Sequence, residues 1–342
     1  MTAPATPVLE TQNLTKRFTI ERGVLRRKVG EVHAVDGVDL AVRPGTTMGL
    51  VGESGSGKST LGRLVLRLLD PTAGRVVFDG ADVTATRGRE LRQVRRGVQL
   101  VFQDPHSAFD PSITVLRALR EPMQTQLSLS RAEQRDRARE LMRLVGLGEH
   151  LLERFPHELS GGQLQRIAVA RALVVEPKLV VLDEPVSSLD VSTQAQVVNV
   201  LRDLQDRLGI AYLFIAHDLA VVRRVSDDLS VMYLGRIVEQ GDADAIYSSP
   251  RHPYTEALLS AIPVPDPARQ RERERIVLRG DIPSPSAPPP GCHFHTRCRY
   301  VMDICRSVDP EPFVADDGTK VACHLHTAGP RLLGAAVTSL PR

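Results

Sequence analysis

Residues 52–60 read GESGSGKST and place Gly52 and Gly57 ahead of Lys58 and Ser59 in the spacing G-x-x-x-x-G-K-S. Glycines at these positions let backbone amides turn inward around a phosphate. A helix that follows adds partial positive charge at its N-terminus, and a lysine there reaches the β- and γ-phosphates. The stretch therefore predicts a nucleotide triphosphate site built from Gly52, Gly55, Gly57, Lys58, Ser59 and Thr60, with Ser59 on a magnesium ion. The plainer reading is a glycine-rich turn that binds nothing. It does not account for where the stretch falls, after the apolar run TTMGLVG and before Leu61, Leu64, Val65 and Leu68 at helical spacing.

A second constellation is LVVLDEP, residues 179–185, an apolar run ending in two acids. A carboxylate at the C-terminal edge of a buried strand suits the magnesium of a nucleotide held by a neighbouring loop, which is the role expected of Asp183. Glu184, one residue on, has the chemistry to accept the proton of an attacking water. Alone, such a pair reads as a loop start or a helix cap; beside a phosphate loop it reads as catalytic machinery.

The elements that must position these residues follow from periodicity. VLETQNLTKRF and VHAVDGVDLAV read as strands separated by the basic insertion ERGVLRRKVGE, and GVQLVFQD as a further strand. Residues 112–158 are mostly helical and charged. From 160 onward helix, apolar strand, helix, strand and helix alternate, which argues for a parallel sheet covered on both faces, with the helical stretch inserted into it. Beyond 263, PVPDPARQRERERI and DIPSPSAPPPG have the composition of a linker or an irregular appendage.

At LSGGQLQR, residues 159–166, the chain resembles the ATP-binding cassette (ABC) ATPases, whose signature this is similar to. The remaining motifs fall in order. Phe18 resembles the aromatic that stacks on adenine, Gln103 the glutamine of the Q-loop, SSLD at 187–190 the D-loop ending in Asp190, and His217 the switch histidine. The resemblance implies an α/β fold: a P-loop ATPase core on a parallel sheet, an N-terminal antiparallel β subdomain, an inserted α-helical subdomain over about 104–158 and a small irregular cysteine-containing C-terminal domain. It also implies ATP as substrate and Mg2+ held by Ser59, Gln103 and Asp183, with catalysis by Glu184, His217 and Lys58. Two such domains pack head to tail in the family. Ser160, Gly161, Gly162 and Gln163 of one chain, at a helix start suited to an anion, would then face the nucleotide of the other.

HPYTEALLSAIP at 252–263 and the cysteine-bearing tail narrow the resemblance to ATP-binding subunits of dipeptide and oligopeptide importers, including relatives that move nickel. Implied partners are a second cassette, identical or a paralogue, two transmembrane permease subunits and an extracytoplasmic peptide-binding protein, with the chain peripheral on the cytoplasmic face of the cell membrane. The implied divisions are a nucleotide-binding domain over 7–263, a C-terminal domain over 264–330 and a tail over 331–342. The chain departs from the family's usual pattern at Phe109 and Asp110, where Leu and Asn are common, and at Leu164 after the signature. A competing class is a non-transport ABC ATPase acting on nucleic acid or ribosomes; such proteins usually carry two cassettes or long coiled-coil insertions, and neither appears here.

Composition bounds the rest. The 44 basic and 41 acidic residues leave a net charge of only +3, too little to make nucleic acid or anionic lipid the main partner. With no tryptophan and 4% aromatic residues, a stacking groove for single strands is not expected. The basic stretches 22–30 and 87–96 read as solvated faces and loops. MTAPATPVLETQ lacks the charged and apolar regions of a secretory signal, and no apolar window spans a bilayer, so an intracellular polypeptide is expected. Cys292, Cys298, Cys305 and Cys323 all fall near the C-terminus in the spacing C-x5-C-x6-C-x17-C, interleaved with His293, His295, His324 and His326. Four thiolates there would suit a metal centre, and the resemblance favours a structural 4Fe-4S cluster; zinc or free thiols are the alternatives.

Overall fold

The computed structural model of the chain describes residues 6–23, 27–263, 275–329 and 331–340. β1 (Leu9–Arg22) and β2 (Arg27–Val42) pair antiparallel from Leu9↔Val42 to Arg22↔Arg27. The basic stretch read as an insertion between strands thus falls largely within the paired ends of β1 and β2; residues 24–26 lie outside the described residues. The chain then leaves for β3 (Thr47–Val51) and α1 (Lys58–Val65), and returns with β4 (Ala73–Phe78) and β5 (Ala81–Asp82). Together these make a four-stranded antiparallel sheet in the order β2-β1-β4-β5.

Next come α2 (Gly88–Gly97), which buries no residue, and β6 (Val98–Val101). The charged stretch at 87–96 is therefore a solvated helix, fastened through Arg95 Nη2, which donates to the Arg67 carbonyl at 2.7 Å. The expected helical insertion follows as α3 (Val115–Gln126) and α4 (Arg131–Leu144). Ser130 and Glu133 cap α4 reciprocally, and Leu119, Met123, Leu141 and Met142 are fully buried where the helices meet.

α5 (Gly161–Leu173), β7 (Leu179–Asp183), α6 (Val191–Leu208), β8 (Ala211–Ala216), α7 (Leu219–Val222), β9 (Asp228–Tyr233) and β10 (Arg236–Asp242) complete the core, followed by α8 (Ala243–Ser248) and α9 (Pro253–Ser260). The strands β9-β3-β8-β7-β6 run parallel. Every residue of β3 and β8 is buried, as expected of strands covered on both faces. Alternate residues of β7 enter different cores. Leu179 and Val181 join Leu50, Leu61 and Leu64 of β3 and α1, while Val180 and Leu182 join Leu164, Val198 and Leu201 of α5 and α6. Each such aliphatic side chain contributes roughly 1.5–3 kcal/mol of transfer free energy.

The described C-terminal residues are mostly irregular, as expected, but they are joined to the main sheet and are not a loose appendage. β11 (Pro312–Val314) and β12 (Lys320–Ala322) extend the main sheet, because β12 pairs antiparallel with β10 through Glu239↔Val321 and Gln240↔Lys320. Residues 331–340, read as a tail, are also packed: Val337 is fully buried and its N–H donates to Pro250 at 2.9 Å. The expected boundary and linker at 264–274 lie outside the described residues.

Candidate active site

β3 delivers the chain to Gly52 at the C-terminal edge of the parallel sheet, and α1 starts at Lys58. The loop between them runs so close to its surroundings that two positions exclude a side chain. Gly52 has φ +153°, and a Cβ on it would sit 2.1 Å from the Met232 carbonyl oxygen; Gly57 has φ +105°, with its Cβ position 2.1 Å from the Ala34 oxygen. Gly55 also has positive φ but faces open space. Lys58 is buried inside this cradle, its Nζ donating to the carbonyls of Gly52 (2.8 Å) and Glu53 (2.9 Å) and to Ser56 Oγ (3.3 Å). Burial lowers its ammonium pKa, opposed by the nearby carboxylates of Glu184, Asp183 and Glu53.

Ser59 Oγ donates to Asp183 Oδ1 at 2.9 Å, joining the start of α1 to the end of β7. Burial raises the Asp183 carboxyl above the usual range, with the Ser59 hydrogen bond opposing. Glu184 follows with φ +50°, a left-handed conformation for a residue with a Cβ, and its N–H donates to the Ile215 carbonyl of β8 at 2.9 Å. Such strain costs of order 1–3 kcal/mol and turns the carboxylate back over the sheet edge. There Glu184 Oε2 accepts from Gln103 Nε2 at 2.9 Å and lies 3.2 Å from His217 Nδ1.

These residues share a cleft of about 640 Å³. It is lined by Phe18, Gly55, Gly57, Lys58, Ser59, Thr60, Gln103, Glu184 and His217, together with Val32, Ala34, Ser54 and Pro285. Gly52 and Asp183 adjoin it through Lys58 and Ser59. Phe18 is half-exposed, with Lys16 Nζ 5.2 Å from its ring centroid. The fit to a magnesium-bound triphosphate is good: a loop in which Gly52 and Gly57 leave no room for a side chain, a lysine held by loop carbonyls, and a hydroxyl and carboxylate 2.9 Å apart.

Ser160, Gly161, Gly162, Gln163 and Asp190 do not line this cleft. Ser160 caps α5 by accepting from the Gln163 N–H at 3.3 Å, while Gln163 Oε1 accepts from the Ser160 N–H at 3.0 Å. Asp190 caps α6, accepting from Ser192 Oγ (2.5 Å), the Thr193 N–H (2.9 Å) and Thr193 Oγ1 (2.7 Å), bonds that hold its carboxyl well below the usual range. The two helix starts touch, since a Cβ on Gly162 would meet Thr193 Cγ2 at 2.2 Å. The atypical Phe109 is buried under the Arg171 guanidinium, 5.6 Å from its ring centroid, and Asp110 accepts from the N–H and hydroxyl of Ser112. Leu164 is core.

The expected four-thiolate set is not assembled. Among the described residues, no group of three or more His, Cys, Asp or Glu side chains is arranged to hold a metal ion. The chain does bring the four cysteines into one neighbourhood: burial, with Cys305 adding, pushes Cys292 up to about 11, burial, with Cys292 and Cys305 adding, pushes Cys298 up to about 12, and burial pushes Cys323 up as well. Three of the interleaved histidines are engaged by backbone carbonyls: His295 by Cys292 (2.9 Å), His324 by Val308 (2.9 Å) and His326 by Arg251 (2.8 Å).

A glycine-rich loop joining a parallel strand to a helix, with an acidic pair ending the strand two places away in the sheet, defines the P-loop class of nucleotide-binding ATPases. Residues 35–187 match the family described as ABC transporter, and residues 238–305 match the oligopeptide/dipeptide transporter C-terminal region. The chain is 49% identical to "Probable peptide ABC transporter ATP-binding protein y4tS" of Sinorhizobium fredii, covering 93% of this chain and 90% of that one. It is 47% identical to the oligopeptide transport ATP-binding protein AppF of Bacillus subtilis, over 94% and 98% of the two chains. Among solved structures, it is similar to the dimeric structure of a post-hydrolysis state of the ATP-binding cassette MJ0796 bound to ADP and Pi. That likeness has a TM-score of 0.61 and 28% identity, over 69% of this chain and 98% of the other. The chain belongs to the ABC transporter family, as one of its ATP-binding ATPase subunits. Among the described residues, no helix is long and apolar enough to cross a membrane.

Proposed function

We propose that the chain hydrolyses ATP to drive import of dipeptides or oligopeptides. It works peripherally at the cytoplasmic face of the cell membrane, paired with a second cassette and docked on two permease subunits that receive peptide from an extracytoplasmic binding protein. One observation carries the pairing: the cleft gathers the phosphate loop, Gln103, Glu184 and His217, while Ser160–Gln163 cap a helix outside it. The names of the relatives support the peptide cargo. Neither nickel import nor action on nucleic acid has an observation in its favour.

In this scheme the loop amides and Lys58 bind the phosphates, and Phe18 stacks on the base. Ser59, Asp183 and Gln103 would hold Mg2+, which when bound neutralises charge on the phosphate oxygens. Glu184 takes the proton of the attacking water, and His217, 3.2 Å from it, orients the carboxylate. Gln103 donates to Glu184 through Nε2, which leaves its Oε1 as the oxygen that would reach a metal. The partner chain's own copies of Ser160, Gly161, Gly162, Gln163 and Asp190 would close the cleft from the far side.

The test is fractionation with binding. The chain sediments with membranes only when the permeases are coexpressed, and Lys58→Ala loses nucleotide affinity; release of its activity by nuclease treatment would sink the transport assignment. A 4Fe-4S cluster on Cys292, Cys298, Cys305 and Cys323 is supported only by the proximity of the four thiols. Anaerobically purified protein free of iron and sulfide would remove it.

A further inference from the structure

The C-terminal region reaches the phosphate loop directly. Glu53, which follows Gly52, has both carboxylate oxygens taken by the Arg297 guanidinium, Nη1 to Oε2 at 2.6 Å and Nη2 to Oε1 at 3.0 Å. The Glu53 N–H donates to Tyr254 Oη at 2.8 Å, and the Glu53 carbonyl accepts from Lys58 Nζ at 2.9 Å. One loop residue thus joins the C-terminal region to the lysine of the cradle.

Arg297 is itself rigidly seated. Its side chain is 6% exposed, and its guanidinium lies 6.0 Å from the ring centroid of Tyr233. Tyr233, Tyr254 and Phe294 pack ring on ring, with centroids 4.7, 5.2 and 5.3 Å apart. A second contact supports the same geometry: Pro285 lines the cleft, and its carbonyl accepts from the His33 N–H of β2 at 2.9 Å.

A bidentate guanidinium–carboxylate pair fixes rotation as well as distance, which a lysine in its place does not. Held mostly out of water, it also leaves an uncompensated charge when one partner is removed. We infer that Arg297 is a positioning residue of the nucleotide site, fixing Glu53 and through it Lys58 and the loop amides, so that the C-terminal region is a working part of the phosphate cradle. This rests on nucleotide occupying the cleft.

The experiment uses the full chain with Arg297→Gln, Arg297→Lys, Glu53→Gln and the double variant E53Q/R297Q. Hydrogen exchange on nucleotide-free protein reads the loop itself; titration with a fluorescent ATP analogue and Mg2+ reads affinity; steady-state hydrolysis separates KM from kcat. Arg297→Gln is expected to speed exchange at residues 53–57 without changing β8 and to weaken nucleotide by roughly five- to twentyfold, with KM rising more than kcat falls. Arg297→Lys recovers only part of the loss, and the double variant is no worse than the poorer single one. Folded Arg297→Gln with wild-type exchange and affinity, or additive losses in the double variant, would overturn the inference. If Arg297→Gln does not fold, Glu53→Gln carries the same readouts. Wild-type protein that binds no nucleotide, while Arg297→Gln still loosens the loop, would refute the nucleotide assignment and leave the positioning role standing.

Discussion

Gln103 Nε2 donates to Glu184 Oε2 at 2.9 Å, closing a contact between residues 81 positions apart in sequence. The same oxygen faces His217 Nδ1 at 3.2 Å, so the carboxylate sits between two side chains from the ends of β6 and β8. A group held this way cannot swing freely, as the general base proposed above would require.

Glu184→Gln keeps the shape of this contact but removes the basic oxygen. Phosphate release is expected to fall by at least about 10²-fold, with ATP affinity retained. Phosphate-release and nucleotide-binding assays on the same preparation check this, and unchanged turnover would take Glu184 out of the mechanism.

Ser59→Ala deletes the hydroxyl that bonds Asp183 at 2.9 Å. Loss of one ligand or hydrogen bond at a charged group is worth about 1.4 kcal/mol, or tenfold. The magnesium concentration giving half-maximal nucleotide binding should rise by about that factor, while binding of nucleotide with EDTA present stays the same.

Gly57→Ala and Gly55→Ala separate steric exclusion from conformational strain. Both positions have positive φ, but only at Gly57 would the new Cβ meet a backbone oxygen, 2.1 Å away. Gly57→Ala should lower stability by roughly 2–4 kcal/mol and abolish nucleotide binding, against about 1 kcal/mol for Gly55→Ala. Chemical denaturation ranks the pair; equal losses would contradict the close approach.

His252 supplies a pH dependence. It is fully buried, its Nδ1 accepts from the Tyr254 N–H at 3.0 Å, and burial, with His326 nearby, lowers its pKa to about 3. The unfolded chain binds a proton below pH 6.5 that the folded chain refuses, so this residue makes stability fall as pH drops from 6.5 towards 3, by at most about 1.4 kcal/mol per pH unit. His252→Asn keeps a capping acceptor and should flatten the dependence of Tm on pH across that window. An identical slope in the variant would show that His252 is not the group titrating.

The phosphate loop was legible in sequence because its chemistry is local. Gly52 to Thr60 are consecutive, and backbone φ requirements, helix start and lysine reach are all set within those few residues. Asp183 and Glu184 could be singled out because a continuous apolar strand has one C-terminal edge, and a phosphate loop nearby gives an acid there a use beyond starting a loop or capping a helix. The C-terminal region is mostly irregular, as read from sequence, but its two strands were missed because β11 and β12 are three residues each and carry no periodicity long enough to read. Their pairing with β10 exists only once the main sheet is built.

What the chain determined by itself, then, was a set of local geometries: a glycine cradle, strands buried on both faces, and helix starts capped by Ser130, Ser160 and Asp190. Only the tertiary structure decided which of them meet. Gln103, Glu184 and His217 converge because adjacent parallel strands end at one sheet edge, while Ser160 and Asp190 are carried elsewhere on their own helices. Arg297 finds Glu53 across 244 residues for the same reason: ion pairing leaves no periodic trace in sequence, and the partner is chosen by the packing that desolvates it.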